Sequence, residues 1–125
     1  MLTLSQRIAA FTSRLTWADV PVPVQDKCKA SLLHNLGVAV AGGPLLALPA
    51  SFVDGLDGGG GGSATARLLI SGRHLTPESA ALVNGALMHA RAQDDVYFPG
   101  LTHAGSVMIP AALALAESRG QSGQE

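Results

Sequence analysis

The sequence predicts an all-α fold of about five helices with one short extended segment, on three observations. Apolar residues recur at helical spacing, prolines and glycines cut the chain into helix-sized lengths, and only Arg67 to Ile70 reads as extended. At 125 residues the chain has the length of one domain with a real core, residues 1–125.

Leu4, Ile8, Phe11 and Leu15 form the apolar stripe of an amphipathic first helix over about 4–15, and Thr3 with Gln6 has the capping-box spacing at its start. Pro21 and Pro23 then block continuation, and Pro23 suits the first turn of a second helix that runs through VQDKCKASLLHNLGVAVA and stops at Gly42 and Gly43. Its early turns carry Gln25, Asp26, Lys27 and Lys29 and its later turns are apolar, so it should pass from a wet surface into an interior. LPASFVDGL reads as a short third helix opening near Pro49. The glycine-rich stretch 57–63 follows as a flexible surface loop. A phosphate cradle there would need a Gly-Lys-Ser/Thr ending and a preceding strand, and the sequence has neither.

After the extended segment and a turn at Ser71 and Gly72, a fourth helix starts with Thr76 as cap, Pro77 as first residue and Glu78 in the positive first turn. Ala81, Leu82, Gly85, Ala86 and His89 share one face whose small side chains suit close approach by another helix, so the helix should be internal. The last helix, SVMIPAALALAESRG, carries Pro110, which marks either its regular start or a kink in its first turn.

The formal net charge of −1 and pI near 6.4 provide no basic field for nucleic acid or an anionic membrane. Cys28 is the single cysteine, which excludes an internal disulfide, and MLTLSQRIAAFTSRL lacks the order of a signal peptide, so a cytoplasmic location is expected. Asn35 to Val53 carries no charge, but glycines and prolines interrupt it, which reads as two buried helical pieces rather than a membrane span. Charged residues make up 14% of the chain and mean hydropathy is +0.30, leaving little polar material to cover a small globule. Such a chain should bury surface against a second copy or the remainder of a longer polypeptide.

RAQDDVYFPGLTHAGS, residues 91–106, gathers the candidate chemistry. Asp94, Asp95 and His103 flank a Pro-Gly turn and need a loop to bring them together. A last helix beginning just after His103 would put the imidazole near unpaired N–H groups and the positive helix end, a place for carboxylates or phosphates where a neutral histidine can act as general base. Tyr97 could donate a hydrogen bond to the same anion, and Thr102 sits beside the histidine. Each has a plainer reading: the aspartates as solvating the chain or capping a turn, and His103 as the cap of the helix. A metal site of Asp94, Asp95 and His103 is chemically possible, but adjacent aspartates usually point apart, so no metal is expected. His34 and His89 read as satisfied core or interface histidines, His74 as turn surface, and Cys28 as a thiol without an activating partner.

LLHNLGVAVAGG, ESAALVNGALMHARAQDD and THAGSVMIPAALALAE, in this order, resemble successive signatures of the MmgE/PrpD family, which includes 2-methylcitrate dehydratase, cis-aconitate decarboxylase and iminodisuccinate epimerase. The resemblance covers nearly the whole chain. It implies the N-terminal part of a large helical domain that in full-length members carries an α/β lid and forms homodimers. It also implies metal-independent, cofactor-free lyase or isomerase chemistry on small di- or tricarboxylates: a proton is removed next to a carboxylate, and loss of water, loss of carbon dioxide or reprotonation follows. His103 matches the histidine of the family's H-P-x-G motif, a candidate acid/base. Asp94 and Asp95 match its D-D pair, and with Tyr97 and Thr102 they form the candidate substrate-binding set. Ala92 and Val96 stand where decarboxylating members carry aspartate and threonine, which leaves the reaction open. Members are several times longer, so the lid and the downstream lysine, histidine and tyrosine are absent from this stretch and it should be inactive alone. The alternative from another class is a helical dimerisation module without chemistry.

Overall fold

The computed structural model describes residues 2–46, 53–56, 63 and 65–123. The chain falls into two compact units, residues 1–30 and 31–125.

In the first unit, α1 spans Leu4–Thr12 and opens on the expected capping box. The Gln6 amide donates to Thr3 Oγ1 at 3.3 Å and the Thr3 amide to Gln6 Oε1 at 3.0 Å. The helix ends short of Leu15 because hydroxyls take over the carbonyls of its last turn: Thr12 donates to Ile8 and Ala9, and Ser13 to Ala10. Such bonds compete with helix propagation. Leu4, Ile8, Phe11 and Leu15 all stay exposed, and no residue of α1 is buried. A 3-10 turn at Trp17–Asp19 follows. Thr16 donates to Asp19 through both backbone and hydroxyl, which holds the Asp19 carboxyl below its ordinary value. Gln25 Nε2 donates to the carbonyls of Trp17 and Val20, tying this turn to the start of α2, which spans Val22–Gly42 with Pro23 in its first turn.

The second unit takes α2 from Ser31 onward, a helical piece α3 at residues 53–56, a hairpin of β1 (Ala66–Arg67) and β2 (His74–Leu75), α4 (Pro77–His89) and α5 (Ala104–Ser118). The strands pair antiparallel, Ala66 with Leu75 and Arg67 with His74. The extended segment thus begins one residue earlier than expected and ends before Leu69 and Ile70, which enter the turn. His74 lies in a strand, exposed as expected. The beginning of the third predicted helix, 48–52, and the glycine run 57–62 lie outside the described residues.

The core gathers Ala39 from α2, Ala66, Leu68 and Leu75 from the hairpin, Ala80, Val83, Leu87 and Met88 from α4, and Ala114 from α5. Buried Asn84 fastens the hairpin to α4: its Oδ1 accepts from the Leu69 amide at 3.0 Å and its Nδ2 donates to the Arg67 carbonyl at 2.9 Å. Both polar ends of the amide are satisfied, so its burial costs little. The capping of α4 by Thr76 is as read from the sequence.

The small-residue face of α4 allows the close helix approach expected of it, at Gly85 against α5, but the most buried stripe is the neighbouring one. Ala80, Val83, Asn84, Leu87 and Met88 are the residues buried in the core, whereas Leu82 and His89 are exposed and Ala81, Gly85 and Ala86 half-buried. Their small side chains leave room for a cavity. Pro110 lies inside a continuous α5 and is fully buried. A proline nitrogen cannot donate to the carbonyl four residues back, here Ser106. Gly85 of α4 approaches that same carbonyl so closely that a Cβ there would lie 2.8 Å from it. The α4 backbone therefore comes close to the carbonyl that the proline leaves without its helical donor. Among the described residues no helix is long and apolar enough to cross a membrane.

Candidate functional site

The loop between α4 and α5 carries Asp94, Asp95, Tyr97, Thr102 and His103, the candidate residues. Ala92 at φ 50° turns the chain out of α4 in the left-handed region, which alanine enters at a cost of roughly 1 kcal/mol. Tyr97 and Thr102 pair through their backbones, with the Tyr97 amide 2.8 Å from the Thr102 carbonyl, and close a loop around the 3-10 turn Phe98–Gly100. Leu101 at φ 47° completes this turn. The two ends of the segment are thereby held side by side, which brings Asp94 to His103.

Asp94 is 5% exposed and its side chain is fully buried. His103 Nδ1 lies 3.1 Å from its Oδ2, and His89 Nδ1, from the last turn of α4, lies 3.1 Å from Oδ1 and 3.2 Å from Oδ2. The two rings meet edge to face with centroids 4.7 Å apart. Burial raises the Asp94 carboxyl. Hydrogen bonds from Ser106 and His89, the backbone at Asp94 and attraction to His89 outweigh burial and hold it below its ordinary value. The group is therefore a carboxylate, which only accepts hydrogen bonds. Both histidines must donate to it from Nδ1, so each neutral ring carries its free lone pair on Nε2. Among the described residues the hydrogen bonds of these two rings are all made through Nδ1.

His103 occupies the N-cap position of α5 but makes no side-chain cap bond. The capping reading of His103 gives way because its Nδ1 is committed to Asp94. The solvating reading of Asp94 fails for the same reason, since a carboxylate holding two imidazoles is buried. His89 was read as a satisfied core or interface residue. It is instead half exposed and belongs to the site, and the i, i+5 spacing to Asp94 across a helix end was the signal available for it. His34 is exposed too, its Nε2 2.7 Å from the Gln93 carbonyl.

Asp95 turns the other way. Its Oδ1 accepts from Asn35 Nδ2 of α2 at 2.5 Å, and Asn35 also donates to the Ser31 carbonyl. Gly105 at the start of α5 packs into this pair: a Cβ there would lie 1.8 Å from Asp95 Oδ1 and 2.6 Å from Asn35 Nδ2. Tyr97 is 59% exposed and Thr102 is exposed.

Beside the histidines, between α4 and α5, lies a shallow, open and largely apolar cavity of about 580 Å³. Leu82, Gly85, Ala86 and Val107 line it together with His89, His103 and Ser106. None of the expected substrate-binding residues Asp94, Asp95, Tyr97 and Thr102 is among the lining residues. Among the residues that line it, the two imidazoles are the side chains able to carry positive charge. His89, Asp94 and His103 also form the group whose ligand atoms, all within 4.8 Å of one another, could hold a metal ion. The metal set considered from sequence differs: Asp95 is turned away and His89 takes its place. The three side chains are joined by hydrogen bonds from both imidazoles to the carboxylate.

No curated protein and no solved structure matched the chain. The order of the D-D pair and the histidine on the loop between two packed helices agrees with a family assignment that covers nearly every residue: matching the model of the MmgE/PrpD N-terminal domain over residues 6–125, the chain belongs to the MmgE/PrpD family.

Proposed function

We propose that the segment forms the proton-transfer wall of a lyase or isomerase that acts on small di- or tricarboxylates, with His103 as acid/base. The observation that carries this reading is the buried Asp94 carboxylate, which binds His103 through Nδ1 and leaves Nε2 as the base beside a cavity. A carbon-bound proton next to a carboxylate is removed by His103 Nε2, and the resulting imidazolium is stabilised by Asp94. Loss of water, loss of carbon dioxide or reprotonation then completes the reaction. Neither a metal nor an organic cofactor enters this scheme. The cavity lining includes no lysine or arginine, so this reading requires further residues, from a longer chain or a second copy, to hold the substrate's carboxylates, and on it the segment is inactive alone. A cytoplasmic setting suits such substrates.

Citrate added to the isotopically labelled chain tests the reading by NMR. The His103 imidazole resonances should shift saturably, and the shift should vanish in His103→Gln at every other cavity residue. Resonances of His103 that stay fixed overturn it. The convergence of His89, Asp94 and His103 favours a second reading, a divalent-metal centre. Stoichiometric heat on calorimetry with zinc or manganese would replace proton transfer by metal chemistry.

A further inference from the structure

We infer that His89 is a second acid/base residue for the same substrate, its Nε2 presented with that of His103 from one wall of the cavity. The inference rests on the proton-transfer reading of His103 and extends it.

Three observations carry it. Both rings use Nδ1 on the same buried carboxylate, so both are held in the orientation that leaves Nε2 free. Both line the same cavity. Neither is sealed off, with side chains 54% and 36% exposed for His89 and His103. A histidine kept only for structure needs one of these features, such as the bond to Asp94; it does not need a cavity wall as well. The groups facing the pair are Asp94 from the loop and Ser106 from α5, with Asp95 directed to Asn35 and His34 to Gln93.

Two imidazoles at a ring distance of 4.7 Å can divide an elimination between them. One, neutral, takes the carbon-bound proton at Nε2, and the electron pair of that C–H bond becomes the new C=C bond. The C–O bond breaks, and the other ring, protonated, gives its Nε2 proton to the departing oxygen, which leaves as water. One ring gains the proton that the other loses, so the protonation of the pair as a whole is unchanged. Because both act from one wall, proton and hydroxyl leave from the same face of the substrate.

Acylation by diethyl pyrocarbonate, mapped by mass spectrometry with and without citrate, tests this on the unaltered chain. The reagent attacks unprotonated imidazole nitrogen. Both His89 and His103 should be modified, and citrate should suppress both with the same half-saturating concentration. Nitrogen-15 spectra should show both neutral rings protonated on Nδ1. Protection of His103 with none at His89 overturns the role of His89 and leaves the His103 reading standing. Protection of neither overturns both. A His89 ring protonated on Nε2 in its neutral form overturns the inference whatever the protection, because it then has no lone pair to offer the substrate.

Discussion

Asp94 and Asp95 share a peptide bond, yet one carboxylate is enclosed with two imidazoles and a hydroxyl while the other is clamped between an asparagine of α2 and the first turn of α5. The chain bends at Asp94, and the two adjacent side chains reach different partners, so a D-D pair can serve two neighbourhoods at once. The Asp94 side holds two imidazoles that line an open groove. The Asp95 side holds an amide and packs tightly against Gly105. Under the proposed function the difference gives chemistry to the Asp94 side and positioning of α5, and so of His103 at its N-cap, to Asp95.

The largest effect should come from the crowded side. Gly105→Ala places a methyl group where Asp95 Oδ1 already sits, at 1.8 Å, and against both atoms of the Asn35 amide at 2.6 and 2.9 Å. Neither group can yield without breaking the bond between them, so a loss of about 3 kcal/mol is expected from overpacking and a severed buried hydrogen bond. Urea denaturation followed by circular dichroism measures it. A variant as stable as the parent would mean that the Asp95 side is loose, and the division between the two carboxylates would lose its physical basis.

Paired substitutions at the aspartates come next. Asp95→Ala removes the acceptor of a fully buried asparagine, whose Oδ1 already has no partner among the described residues. It should cost about 2 kcal/mol for the stranded donor and leave both histidines donating from Nδ1. Asp94→Asn keeps the shape but offers one acceptor oxygen in place of two, so it cannot receive both Nδ1–H groups and Ser106 as before. Nitrogen-15 spectra should then show at least one of His89 and His103 with its proton moved to Nε2. If Asp95→Ala disturbs the imidazoles as much as Asp94→Asn does, the two sides are one network.

How much of this was legible in the sequence follows the range of the interactions involved. The capping box at Thr3 and the N-cap at Thr76, with the helices they open, depend on residues three apart, and they were read correctly. The core stripe of α4 was legible but outweighed by its neighbour: Ala80, Val83, Leu87 and Met88 recur at helical spacing and carry the larger apolar side chains, whereas Ala81, Gly85 and Ala86 drew attention by being small. His89 was missed for a different reason. Its apolar neighbours on the helix hid that it lies at the helix end, where the turn at Ala92 folds Asp94 back onto it. Asp94, Asp95 and His103 were picked out as a group, but only the fold could separate the two aspartates.

The smallest predicted effect tests the electrostatics of the Asp94 side. A carboxyl whose folded value is depressed adds stability above its unfolded value, near 3.8, and that contribution is lost as pH falls from there through the lowered folded value. Ser106 is the largest of the influences that lower it. Ser106→Ala should therefore let burial count for more, raise the Asp94 carboxyl, and move acid unfolding to higher pH. Stability at neutral pH should fall by only about 1 kcal/mol, the worth of one hydrogen bond to a charged group less what His89 and His103 retain. The sign matters more than the size. An acid midpoint that stays fixed, with Asp94→Asn moving it strongly, would show that the imidazoles alone hold the carboxylate ionised, and that the hydroxyl belongs to the 3.3 Å contact with the His103 carbonyl instead.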